Sequence, residues 1–161
     1  MAFDGSSYLC TSFKVGLLNG DFDFSGNTSQ SFKIALYTNS AAGTDFGGDG
    51  TAMDGSVLYY ATNNQVANGN GYTTGGGGLT ISTAPTDGGS GTVAYLSFAN
   101  ETWTSATFTA RGAIIYRSDG SAPTNDAVAV IDFTADKTAT NGDFTVQFPT
   151  ANNSAAIIRI A

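Results

Sequence analysis

The sequence predicts an all-β fold: a single antiparallel β-sandwich or jelly-roll-like domain over residues 1–161, with one short helix in an N-terminal segment, residues 1–20. Three observations predict it. First, 21 of the 161 residues are glycine, prolines number 3 and only 12% of residues are charged, about half the usual ~25%, which is the composition of strands joined by many turns. Second, two apolar runs rich in β-branched and aromatic residues, Ala110-Arg111-Gly112-Ala113-Ile114-Ile115-Tyr116-Arg117 and Ala127-Val128-Ala129-Val130-Ile131-Asp132-Phe133, flank a polar segment holding Asp119-Gly120 and Pro123. They read as paired core strands covered on both faces. Third, alternating segments bounded by turn residues give about eight to ten short strands, the spacing of a sandwich or jelly roll.

Taken in order, residues 8–18 are the helical candidate. Leu9, Phe13 and Leu17 recur on one face, Ser6 or Ser7 is placed to cap the start, and Asn19-Gly20 supplies a stop. That stripe makes Leu9, Phe13 and Leu17 candidate partner contacts, although packing on the sandwich is the simpler reading. Residues 21–27 are turn-forming, with Phe22 and Phe24 able to make a short β extension. Residues 31–38 alternate, placing Phe32, Ile34 and Leu36 on one face and Lys33, Ala35 and Tyr37 on a wetter one. A long Gly-rich connection, 39–55, precedes a strand at 57–61. The glycine run Gly75 to Gly78 leads into an alternating strand at 79–82 rather than into a Lys-Ser or Lys-Thr and a helix, so it is not a phosphate loop. It reads as a mobile or unusually tight connection.

Residues 84–91 read as a turn cluster, 92–98 as a strand, and 105–110 as a strand running into the first apolar run, with a bulge or bend at Gly112. Trp103 reads as a core anchor. Residues 134–142 look like a polar loop ending in the Asn141-Gly142 turn signal; Phe144, Val146 and Phe148 then alternate up to Pro149, and residues 155–160 form a last strand. If Arg117 and Ala127 flank the hairpin loop, Gly112 lies opposite Asp132, and Arg111 becomes a cross-strand structural partner of that carboxylate.

The net charge of −7 and six basic residues scattered along the chain argue against direct nucleic-acid binding and against an anionic membrane surface. No apolar run approaches the ~20 residues of a membrane helix, and Met1-Ala2-Phe3-Asp4-Gly5 lacks the basic start of a signal peptide. Histidine is absent, which removes the commonest general base and metal ligand. The single Cys10 reads as a small buried apolar residue. Asp45, Asp49 and Asp54 in the 39–55 connection are weak calcium candidates, but their spacing is not that of an EF-hand loop. The residues therefore predict no enzyme and no cofactor.

Ser12-Phe13-Lys14, Leu17-Leu18-Asn19-Gly20, Phe32-Lys33-Ile34-Ala35-Leu36-Tyr37-Thr38, Gly69-Asn70-Gly71-Tyr72-Thr73 and Gly75-Gly76 resemble segments of a family of small tailed-bacteriophage virion proteins. So do Thr109-Ala110-Arg111-Gly112-Ala113-Ile114-Ile115-Tyr116, the run 127–133, and Asn141-Gly142-Asp143-Phe144-Thr145-Val146-Gln147-Phe148-Pro149. The resemblance covers nearly the whole chain. It implies a structural protein of the virion, a head decoration or cement protein on the capsid surface, assembled in the host cytoplasm with the major capsid protein as partner. Such a part suits a homo-oligomer, a trimer above all, whose weak contacts add by avidity. The alternative is a tail- or fibre-associated module in which Trp103, Tyr59, Tyr60 and Tyr72 bind host glycans.

Overall fold

A computed structural model describes residues 2–26, 30–89, 92–119 and 126–161. Met1, Asn27, the end of the expected turn cluster and most of the loop with Gly120 and Pro123 lie outside these residues. The described chain is an antiparallel, sandwich-like all-β domain with one short α-helix. Its strands are β1 (Tyr8–Leu9), β2 (Phe32–Tyr37), β3 (Gly77–Leu79), β4 (Ile81–Asp87), β5 (Ala94–Phe98), β6 (Glu101–Arg117), β7 (Ala127–Val146) and β8 (Ile158–Ile160), with helix α1 at Thr11–Asn19. One sheet has the order β1-β7-β6-β2-β3 and the other β4-β5-β8.

The two apolar runs form the centre of the larger sheet. Residues 110–117 and 127–130 are all buried, with the Ser12 hydroxyl of the helix donating to the Ala127 carbonyl, the Phe3 ring against Gly112 and Tyr60 stacked on Tyr116. Gly112 stands opposite Asp132, and a register shift falls between Ala110 and Gly112. Phe3, with no exposed surface, has its ring against Gly112; a Cβ there would collide with it and approach the Ile131 carbonyl oxygen to 2.6 Å.

The β6–β7 hairpin is longer than its sequence suggests. Residues 134–142, expected as a loop, continue β7, pairing Ala110 with Lys137 and Phe108 with Ala139. Polar composition misled there because this half of the ribbon is wet on one side: Thr109 and Thr138 hydroxyls share a 2.7 Å hydrogen bond across it, as cross-strand threonines do. Positive φ angles at Ser105, Thr134 and Asn141 accommodate its bulges.

Other expectations are corrected. The helix starts at Thr11, with Cys10 as an N-cap that makes no side-chain capping bond. Tyr8 and Leu9 instead pair with Val130 and Ala129, and Ser7 Oγ accepts the Asp132 N–H at 3.1 Å, so sheet pairing claims the residues that would have begun the helix. Gly20 ends it in the left-handed conformation. Residues 57–61 contribute only an isolated bridge, Tyr59 to Asp126. Residues 84–87 belong to β4 rather than to a turn, and the last strand is confined to β8. Ala35 and Tyr37 are fully buried, so the supposed wet face of β2 is wet only at Lys33.

Phe22 and Phe24 form no strand. They are buried in the loop between α1 and β2, with Phe24 stacked on Phe32 at 4.5 Å and Phe22 edge-on to Phe13 at 5.1 Å. Phe32 in turn meets Phe98 of β5 at 5.9 Å. This aromatic chain joins α1 and the two sheets into a single core, each such pair adding about 0.5–1.5 kcal/mol beyond area burial.

Candidate interaction surface

The Arg111 and Asp132 side chains meet on adjacent strands, Nε to Oδ1 at 3.3 Å, both buried. Asp132 Oδ1 also accepts the Thr134 N–H at 2.6 Å and Oδ2 the Gly5 N–H at 2.5 Å. The carboxylate thus fixes three things together: the β6–β7 bulge, the strained backbone at Thr134 (φ 64°), and the N-terminal segment. Together with Phe3 and the Ala2 carbonyl, which accepts the Met53 N–H at 2.7 Å, this clamp ties residues 2–9 to the domain. Extension of that segment towards a partner is therefore opposed by its own contacts.

Of the three acids of the 39–55 connection, Asp54 and Asp45 are engaged separately through their carboxylates, while Asp49 donates its backbone N–H to Ser56 Oγ at 3.3 Å. Asp54 Oδ1 accepts the Ser56 N–H and hydroxyl at 2.8 and 2.7 Å, and Asp45 Oδ2 accepts an Asn64 amide N–H at 3.2 Å. Among the described residues no group of three His, Cys, Asp or Glu side chains is placed to hold a metal ion. The connection is a fixed structure, since Phe46, Met53 and Val57 are fully buried beneath it.

Of the expected contact stripe, Phe13 is 1% exposed and belongs to the aromatic core, while Leu9 is half-buried in β1. Phe13 lies on the inner face of the helix and is corrected as a partner contact, while Leu9 is corrected only in its placement, in β1 rather than on the helix. Leu17 is half-buried and lines a groove of about 310 Å³ with Phe13, Phe22, Phe24, Leu96, Ile158 and Ile160. The outward apolar residues are ones the spacing did not single out: Leu18 at 90% exposed and Val15 at 52%, with Ile160 at 51%. Val15 and Leu18 are three residues apart and share one helix face with Lys14. The missed signal was that an apolar pair off the main stripe makes this helix apolar on two sides.

A second groove, of about 580 Å³, lies along β7 and the C-terminal segment, lined by Ile131, Phe133, Phe144, Val146, Phe148 and Ile157. Two of the four candidate glycan platforms are in the core and a third, Tyr60, is partly buried against it. Trp103 is 7% and Tyr72 2% exposed, and Tyr60 stacks on Tyr116 at 4.2 Å; among the four, Tyr59 alone is well exposed, at 43%. Burial raises the phenol pKa values of Tyr37, Tyr72 and Tyr116, so these hydroxyls stay protonated, and Tyr116 donates to the Gly75 carbonyl at 2.8 Å.

Arg117, which sequence reading did not single out beyond its place beside the loop, is 2% exposed. It donates to the Asp21 carbonyl at 2.5 Å, lies 3.7 Å from Asp126 and 3.9 Å from Asp119, and sits over the Phe22 ring at 5.0 Å. Desolvation raises the Asp126 carboxyl pKa, and the Arg117 charge partly offsets that. The two buried arginines are matched by carboxylates withdrawn with them, Asp132 beside Arg111 and Asp119 and Asp126 beside Arg117, so the solvent-facing surface keeps the acidic balance of the net charge of −7. Among the described residues no helix is long and apolar enough to cross a membrane.

Burial pushes the Cys10 thiol from 9.0 up to about 12, with Lys14 pulling weakly the other way. The unfolded thiol ionises first, so between about pH 9 and 12 the folded state holds more protons and stability falls as pH rises. The expected result is no reaction of Cys10 with a thiol reagent at pH 8 in the native protein and full reaction after denaturation. Rapid native labelling would contradict the buried placement.

Comparisons with family models, with curated proteins and with solved structures returned no significant match. The class defined by the structure is an all-β, sandwich-like domain bearing an exposed apolar helix face beside an apolar groove.

Proposed function

We propose that this protein is a structural component of a tailed-bacteriophage particle, a decoration or cement protein that binds the outside of the head and stabilises contacts between capsid subunits. Two lines support the reading. The sequence resemblance runs through nearly the whole chain. The observation that carries it structurally is the apolar face of α1, with Leu18 90% exposed beside an open apolar groove, on a chain of net charge −7. Contiguous exposed apolar surface rimmed by polar residues marks protein contacts.

The mechanism is mechanical. A domain whose sheets, helix and N-terminal segment share one core transmits force without rearranging, and many copies bridging neighbouring subunits oppose their separation by avidity. Since the chain carries a net charge of −7, the complementary capsid surface carries Lys or Arg, and head binding weakens as salt rises. The test is to add purified protein to heads that lack it and locate it by imaging. The glycan alternative loses Trp103 and Tyr72 to the core.

A further inference from the structure

We propose that the face formed by α1 and the β8 end of the smaller sheet is a contact between copies of this chain, with Val15 and Leu18 of one copy seated in the apolar groove of its neighbour. The inference names the occupant of the surface described above and rests on that surface being an assembly contact; it does not need the head location.

The face carries both halves of a contact. Its projecting half is the Val15 and Leu18 pair, 52% and 90% exposed. Its receiving half is the groove of about 310 Å³ next to it, lined by Leu17, Phe22, Phe24, Leu96 and Ile158, room enough for a leucine and part of a valine. Because Leu17 lines the groove and Leu18 follows it, ridge and groove are neighbours, and a face that is its own complement closes on itself as a two-fold pair or a ring.

Charge points the same way. Lys14 lies on the ridge, four residues before Leu18, and is exposed. Asp23 lines the groove. Seating the ridge of one copy in the groove of another brings Lys14 against Asp23 at the rim, an opposite-sign pairing that fixes orientation. A chain of net charge −7 repels its own copies at long range, so the place where copies meet must be locally complementary, and this face carries both signs beside its apolar centre. Ile160, half-exposed on β8, extends the apolar area on the groove side.

Sedimentation equilibrium of the purified chain tests this. The wild type is expected to self-associate with rising concentration. Leu18→Gln is expected to weaken association at least about tenfold, as loss of a central apolar anchor does, with an unchanged melting curve because Leu18 is 90% exposed in its own copy. Lys14→Glu is expected to weaken it as well, and Lys14→Glu with Asp23→Lys to restore it; restoration is a readout that a purely structural role for either residue would not give. A wild type that stays monomeric, a folded Leu18→Gln protein that associates like the wild type, or a failed charge-swap rescue would each overturn the proposal. Head binding is read separately. Self-association through this face with no binding to heads overturns the particle reading alone, whereas head binding by a chain that is monomeric in solution overturns this one.

Discussion

Replacing Asp132 with alanine is expected to destabilise the fold by about 3–5 kcal/mol, the usual cost of removing one partner of a buried ion pair. The Asp132 side chain has no exposed surface and that of Arg111 has 10%, so the variant leaves a guanidinium in the interior without its counter-charge. It also strips the Gly5 and Thr134 N–H groups of their acceptor, and Thr134 keeps its strained backbone with nothing to hold it. The loss is expected to be visible locally before it is global: residues 2–9 lose their anchor, so amide exchange there accelerates at denaturant concentrations that leave β6 and β7 protected. Arg111→Ala with Asp132→Ala is expected to cost less than the sum of the single changes, because neither charge is then stranded. A fully additive pair, read by urea unfolding, would show that the two side chains do not depend on each other.

The second large effect is at Gly76. Its φ is +77°, and a Cβ built there falls on the Ile34 carbonyl oxygen of β2, which is backbone and cannot swing aside. Gly76→Ala combines left-handed strain of about 1–2 kcal/mol with overpacking of about 1–3 kcal/mol, and is expected to cost about 3 kcal/mol or more. Gly78 is the internal control. It lies in β3 opposite Lys33, and a Cβ there meets nothing within 4 Å, so Gly78→Ala is expected to stay within about 0.5 kcal/mol of the wild type. Equal unfolding midpoints for the two variants would contradict the close packing of β3 against β2. The glycine run is therefore a tight connection, and only part of it is sterically required.

How much of this could be read from the residues follows from where the signals were local. The centre of the larger sheet was legible because its apolar runs are dense, and Gly112 does stand opposite Asp132, although a register shift between Ile115 and Tyr116 pairs Ala127 with Tyr116 rather than with the expected Arg117. The helix stop was legible from Asn19-Gly20. The start was not, because Tyr8 and Leu9 are claimed by pairing with Ala129 and Val130, and such pairing leaves no mark on nearby sequence. The 134–142 segment read as a loop because Thr, Asp, Lys and Asn are what the wet face of a long ribbon also contains. Phe22 and Phe24 showed alternation, but it served burial of two rings in a loop rather than a strand. For the surface, helical spacing found the stripe that faces inward. Leu18 became informative only when the fold showed that nothing covers it.

The proposed role places this domain on the head of a phage particle. The most direct measurement is cryo-EM of particles lacking the protein, imaged before and after adding it back. The expected result is added density of this domain's size on the outer surface of the head, across junctions between capsid subunits, with heads more resistant to heat. Added density on the tail, or no added density with heads unchanged, would contradict it.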